Sequence, residues 1–172
     1  MSELINALSD QEVSAIEAEI AHLPDRASAA IDALLIVQSH RGWVSDESLS
    51  HIARLLDMSA AELDSIATFY NLIFRKPVGR HVILACDSVS CYVMGCENLR
   101  RRLEEKLGVE AGQTTEDGRF TLLPIVCLGA CDRAPALQVD DQVFGPMKGD
   151  SSAGSLDDAL DEVLDEVLGR FE

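Results

Sequence analysis

Residues 1–75 repeat apolar positions at the period of a helix. "SDQE" at Ser9–Glu12 has the form of a capping box, and Val13, Ile16, Ile20 and Leu23 follow at helical spacing. Pro24 and Asp25 break the run, and Ile31, Leu34, Leu35 and Gln38 continue on a second helix that "RGW" at Arg41–Trp43 ends. Ser45 caps a third helix with Leu49, Ile52 and Leu56 on one face. "SAAE" at Ser59–Glu62 opens a fourth with Leu63, Ile66, Ala67 and Tyr70, for which Arg75 and Lys76 suit the C-terminal dipole and Pro77 is the stop. Four short helices joined by short turns predict a small bundle.

After Gly79 the pattern changes. "HVILA" (His81–Ala85) and "FTLLPIV" (Phe120–Val126) are short apolar runs of the kind that form buried strands. A helix is expected between them, from about Tyr92 to Leu107, with Gly108 as its stop. "ALQVD" (Ala136–Asp140) and "QVFG" (Gln142–Gly145) predict a hairpin. Beyond a polar loop at 145–154, Ser155 caps a last helix with Leu156, Leu160, Val163, Leu164 and Val167 along one face. The order β-α-β-β-β-α predicts a mixed α/β sheet covered by helices. "RKPVG" at Arg75–Gly79 marks the expected boundary, giving domains 1–76 and 77–172.

Composition narrows the class. With 47% hydrophobic and 26% charged residues the chain is globular. A net charge of −16 disfavours phosphate backbones and anionic membrane surfaces as partners. "MSELINALSD" lacks the basic and apolar regions of a signal peptide, and no apolar run reaches the length of a bilayer span, so the expectation is a cytoplasmic protein without membrane insertion. In a reducing compartment, cysteines bind metal or do redox work more often than they form structural disulfides.

The five cysteines then become the centre of interest. Cys86 and Cys91 form C-x4-C directly after the first strand, and Cys127 and Cys131 form C-x3-C directly after the second. Four thiolates suit a structural zinc or an iron–sulfur cluster. Zinc knuckles favour C-x2-C, whereas two wider, separate pairs suit a [2Fe–2S] cluster with two ligands per iron. Redox-active dithiols also favour C-x2-C, and none is present. A zinc-stabilised interaction module, a thiol oxidoreductase and a set of inert buried thiols stay open as alternatives. Cys96, taken as lying five residues further along the same helix as Cys91, is expected to point about 140° away and to be a packed thiol without a ligand role.

"CDSVSC" followed by "GQTTEDGRFTLLPIVCLGACDRAPALQV" resembles the NuoE-type thioredoxin-like [2Fe–2S] subunits of bacterial NADH:quinone oxidoreductase, respiratory complex I. The likeness continues upstream through "IVQSHRGWVSDESLSHIARLL" and "IATFYNLIFRKPVGRHVI", so it covers nearly the whole chain. It implies a thioredoxin-like ferredoxin domain preceded by a four-helix domain, with Cys86, Cys91, Cys127 and Cys131 ligating one [2Fe–2S] cluster. It further implies a partner subunit carrying FMN and the NADH site, and another partner with further iron–sulfur clusters. On that resemblance the cluster is expected to exchange single electrons with the flavin, off the main electron wire, in the cytoplasmic, peripheral arm of a membrane-associated complex. Equivalent subunits of NAD-linked hydrogenases and formate dehydrogenases are the second reading. No turnover is expected of this chain alone, which has no glycine motif for a nucleotide.

Residues around the cysteines carry weaker expectations. Asp87–Ser90 and Leu128–Ala130 could donate amides to sulfur, Gly129 could admit a close backbone approach, and Pro135 could stiffen the loop exit. The aromatics of "ATFYNLIF" (Ala67–Phe74) are expected mostly in the core, with interface anchoring to the flavin subunit as the second option. Trp43 is expected to pack beside a turn, and Arg100–Arg102 to form a solvated helix face, with docking of an acidic partner as the second option. His22, His40, His51 and His81 are too scattered to form a metal set.

Overall fold

A computed structural model describes residues 8–147 and 156–171, with the side chains of 156–159 left out. The chain divides into two compact units, residues 1–77 and 78–172.

The first unit contains α1 (Asp10–Ile20), a 3-10 turn at Ala27–Ala29, α2 (Ala30–Arg41), α3 (Asp46–Leu55) and α4 (Ala60–Phe69). Ser9 and Ser59 form the reciprocal capping boxes with Glu12 and Glu62, and Ser45 caps α3 by accepting from the Ser48 amide. Gly42 ends α2 at a φ of +81°, which an L side chain adopts only with strain. Ile16, Leu34, Ile52, Leu56 and Leu63 are its largest fully buried side chains.

Two expectations change here. The buried face of α2 is Ala30, Ala33, Leu34 and Val37, and Leu35 is exposed. The fourth helix stops at Phe69, and Tyr70 is extended. The segment beyond is claimed by another partner: the Gln38 amide donates to the Leu72 carbonyl (2.8 Å) and accepts from the Phe74 N–H (2.6 Å). Arg75 therefore serves no helix terminus. It pairs with Asp64 (2.8 Å) and Asp46 (2.6 Å) and donates to the Val44 carbonyl.

The second unit runs β1 (His81–Cys86), α5 (Val89–Val93), α6 (Cys96–Leu107), β2 (Phe120–Ile125), a 3-10 turn at Cys131–Arg133, β3 (Leu137–Val139), β4 (Gln142–Phe144) and α7 (Leu156–Gly169). The sheet order is β2-β1-β3-β4, with β1 and β2 parallel and the other pairs antiparallel. β1 is buried along almost its whole length, as a central strand covered on both faces must be. Ile83, Phe120, Leu122 and Leu137 join Leu99 and Leu103 of α6 and Leu160, Leu164 and Val167 of α7 in one core.

The expected single helix from Tyr92 to Leu107 is two helices. Gly95 sits between them at a φ of +97°, a left-handed step that ends α5 and restarts the chain as α6. β2 ends at Ile125, leaving Val126 exposed. The hairpin strands are shorter than expected because Asp140 takes a φ of +52° at the turn, where its carboxylate accepts from the Val82 N–H (3.0 Å) and meets His81 Nδ1 (2.7 Å). Arg102 does more than solvate a face: it pairs with Asp161 and so ties α6 to α7. The expected Ser155 cap and the Leu156 side chain lie outside the described residues. Among the described residues, no helix is long and apolar enough to cross a membrane.

Candidate metal centre

Parallel pairing puts the ends of β1 and β2 at one edge of the sheet. Cys86, the last residue of β1, is registered opposite Ile125, two residues before Cys127. The Asp87 N–H donates to the Ile125 carbonyl (3.0 Å), and the Cys86 N–H to the Ala136 carbonyl (3.2 Å). The segment after Cys131 is thereby tied to the end of β1. Cys91 lies on α5, five residues beyond Cys86, and Cys131 opens the 3-10 turn that leads to Ala136. The four cysteines of the sequence pattern are thus delivered to one sheet edge by two loops, 35 residues apart in sequence but registered side by side.

The two pairs differ in environment. Cys86 and Cys91 are buried, at 4% and 2% exposure, whereas Cys127 and Cys131 are exposed. Burial pushes the Cys91 thiol up to about 11, helped by a hydrogen bond with Cys86, while a hydrogen bond from the Ala136 backbone acts the other way. In the second loop the Gly129 N–H donates to Cys127 Sγ at 3.3 Å, so one of the expected amide donors is in place. Gly129 has a φ of +72°, and that left-handed backbone itself calls for glycine.

Cys96 is buried at 6%, as expected of a packed thiol, but the geometric reason given for it fails. Cys91 and Cys96 are on different helices, so no single helical wheel relates them. Cys96 instead shares a cavity of about 420 Å³ with Cys86, Asp87, Tyr92, Glu97 and Arg100. Its thiol is pushed up by burial first, then by Asp87, Glu97 and Cys86.

Among the described residues, no three His, Cys, Asp or Glu side chains are grouped to hold a single metal ion. His40 bonds to the Ile36 carbonyl and His81 to Asp140, so neither joins the cysteines. Four cysteine thiols on two neighbouring loops, soft in character and with the Gly129 amide on Cys127, are a donor set that fits a [2Fe–2S] cluster.

A set of exposed apolar side chains was not legible as such in the sequence. Val89, Tyr92, Val93 and Met94 on and after α5, with Val126 beside Cys127, all face solvent. The available signal was the apolar content of "SVSCYVMG" inside a cysteine loop too short to present a core face. In the helical unit, Phe69 (81% exposed), Tyr70 and Leu72 are also outside the core, against the expectation for "ATFYNLIF". Ala67 and Ile73 are the buried residues of this segment, and beyond the early end of α4 the chain at Tyr70–Leu72 turns outward.

Known proteins resemble the chain over most of its length. It is 49% identical over 150 residues to the E subunit of NADH-quinone oxidoreductase from Pseudomonas aeruginosa, covering 87% of this chain and 90% of that one. It is 49% identical over 140 residues to the Escherichia coli protein of the same name, covering 81% and 84%. In fold it is similar to an NAD+-reducing [NiFe]-hydrogenase in the H2-reduced state, with a TM-score of 0.64 at 21% identity over 85% of this chain. The chain spans only 24% of that hydrogenase chain. Residues 16–160 match the thioredoxin-like [2Fe–2S] ferredoxin family, a span that takes in both cysteine loops and most of the helical unit. With the sheet, the two strand-end cysteine loops and this match in agreement, the chain belongs to the thioredoxin-like [2Fe–2S] ferredoxin family.

Proposed function

We propose that the chain is the electron-transfer subunit of an NADH:quinone oxidoreductase and that Cys86, Cys91, Cys127 and Cys131 hold its [2Fe–2S] cluster, each loop pair taking one iron. The observation that carries this reading is the placement of both cysteine pairs at the ends of two registered parallel strands, in a chain 49% identical to the E subunits of two such enzymes. The hydrogenase likeness, at 21% identity, bears on the fold alone.

When bound, the cluster supplies a one-electron relay to the FMN of an adjacent NADH-oxidising subunit. The chain's own residues set the conditions. β1 and β2 fix the loop separation, so little rearrangement accompanies a change in charge. The Gly129 amide and the Ala136 backbone place donors on sulfur, which eases the arrival of negative charge. Val89, Tyr92, Val93, Met94 and Val126 supply exposed apolar area beside the loops for the flavin subunit to cover. A further iron–sulfur subunit completes the module, which sits in the cytoplasmic peripheral arm.

A thiol oxidoreductase needs a cysteine held below its ordinary pKa. Such thiols usually stand in a C-x2-C pair, and the sequence has none, which weighs against that alternative. Anaerobic purification tests the proposal. The protein should be reddish-brown, contain two irons per chain and give a rhombic EPR signal after one-electron reduction. It should also capture the flavin subunit from a co-expression. A colourless protein with stoichiometric zinc sinks the reading.

A further inference from the structure

We infer that the exit of β4, Gly145–Met147, positions Cys131: the turn that carries this cysteine is set against it, and position 145 is glycine because the contact leaves no room for a side chain. This rests on the assignment of Cys131 as a ligand proposed above and goes beyond it, because the C-x3-C spacing says nothing of residues that follow the hairpin.

Cys131 needs such support more than the first pair does. Cys86 ends a strand and Cys91 lies on a helix, so regular backbone hydrogen bonds fix both. Cys131 opens a 3-10 turn of three residues that buries none of its own side chains. Backbone contacts therefore decide where the turn lies. Two of them are internal: the Arg133 N–H donates to the Ala130 carbonyl (3.0 Å) and the Ala134 N–H to the Cys131 carbonyl (3.4 Å). They make Cys131–Ala134 one short unit, in which a displaced Arg133 carbonyl takes Cys131 with it.

The remaining contacts come from the end of the hairpin. The Met147 N–H donates to the Pro135 carbonyl (2.7 Å), and Arg133 Nη1 donates to the Val143 carbonyl (3.4 Å). Met147 is 2% exposed and belongs to the core of the sheet unit, so the segment that holds the turn is itself anchored. Between these two bonds Gly145 lies directly on Arg133. A Cβ at position 145 would overlap the Arg133 carbonyl oxygen and stand 3.1 Å from the Arg133 Cβ. That oxygen is backbone and cannot swing aside as the end of a long side chain can. A side chain at 145 must therefore displace the turn, and Cys131 with it, or pull Met147 from the core. Supporting contacts of this kind hold a ligand in its working geometry.

Gly79 supplies a matched control. A Cβ there would meet the Arg119 and Gly118 carbonyl oxygens at 2.9 and 3.0 Å. These too are backbone atoms, but they lie at the start of β1 and β2, the opposite end of the sheet from the cysteines. The full-length, iron-loaded protein is compared with Gly145→Ala and Gly79→Ala by iron per chain, visible circular dichroism and EPR after reduction, with thermal unfolding alongside. Gly145→Ala should shift the visible bands and the g-values, or lose iron. Gly79→Ala should lower the melting temperature and keep the wild-type spectra. Wild-type spectra in Gly145→Ala, or an equal shift in Gly79→Ala, overturn the inference. If Gly145→Ala does not fold, Met147→Ala removes the buried anchor of the same segment without a clash, and unchanged spectra there overturn the inference likewise. Cys131→Ser keeps the two claims apart: spectra unaltered by it would overturn the ligand assignment, whatever the glycine variants show.

Discussion

The helical unit and the sheet unit treat their buried reactive groups in opposite ways. In the helical unit Glu12 is 1% exposed, yet its charge is answered on every side. Arg41 donates to both carboxylate oxygens (2.6 and 2.7 Å), and the Ser9 N–H donates a third bond (2.6 Å). Its pKa accordingly falls to about 2, with the Arg41 hydrogen bonds as the main cause, against burial. In the sheet unit Cys86 and Cys91 are just as buried, but the Cys91 thiol goes up to about 11. Its nearest electrostatic neighbours are further sulfurs. One site is complete within the fold. The other lacks such a counter-charge for Cys91, which metal ligation would provide.

The sharpest way to break this comparison is to remove a thiol from each helix after β1. Cys91→Ser should weaken or abolish the cluster, seen as lost visible absorbance and lost EPR amplitude per chain. Cys96→Ser should keep both, although Cys96 is equally buried and shares a cavity with Cys86. If Cys96→Ser bleaches the protein and Cys91→Ser does not, the ligand set is wrong.

The matching change in the helical unit is Arg41→Ala. It strands a buried carboxylate and should cost about 3 kcal/mol in urea unfolding followed by far-UV circular dichroism. A loss under about 1 kcal/mol would mean that the Ser9 N–H, which donates to the Glu12 carboxylate, holds the site without the cation.

Acid sharpens the same point. Glu12 has a folded-state pKa of about 2 against an ordinary 4.5. A depressed carboxylate stabilises fully above its unfolded value, and that contribution fades as pH falls through 4.5 toward 2. The difference of about 2.5 units sets an upper bound of roughly 3 kcal/mol. The deficit of Arg41→Ala should therefore shrink over this window, since a protonated Glu12 no longer misses its cation. A deficit that stays constant from pH 6 to pH 3 would assign the effect to lost packing of the Arg41 side chain.

The two units also differed in how far sequence carried. Capping boxes, the Gly42 stop and the α3 face are local signals, read within one turn of helix, and they held. The end of α4 was misplaced because Gln38, 36 residues upstream, decides the path of Phe74. In the sheet unit, strand positions and the two cysteine loops were legible from apolar runs and spacing. Their convergence was not, since it depends on the β1–β2 register and on the Ala136 tie. The different burial of the two cysteine pairs could not be read from two motifs that look alike in sequence.

Gly95 is where the smallest test bears on the comparison. Helical periodicity runs through it, and a continuous helix would put Cys96 about 140° from Cys91. Its φ of +97° instead breaks the helix and brings Cys96 onto the cavity that Cys86 lines. No atom outside its chain neighbours lies within 4 Å of a Cβ built there, so an added methyl group meets strain but no clash. Gly95→Ala should then cost about 1 kcal/mol, the ordinary penalty of a left-handed L-residue. That cost should fall on the sheet unit alone, leaving the acid response of Glu12 unchanged and the cluster signal intact. A larger loss accompanied by bleaching would show that the break between α5 and α6 holds Cys91 in place, and that the sheet unit's metal centre depends on a third thiol's neighbourhood after all.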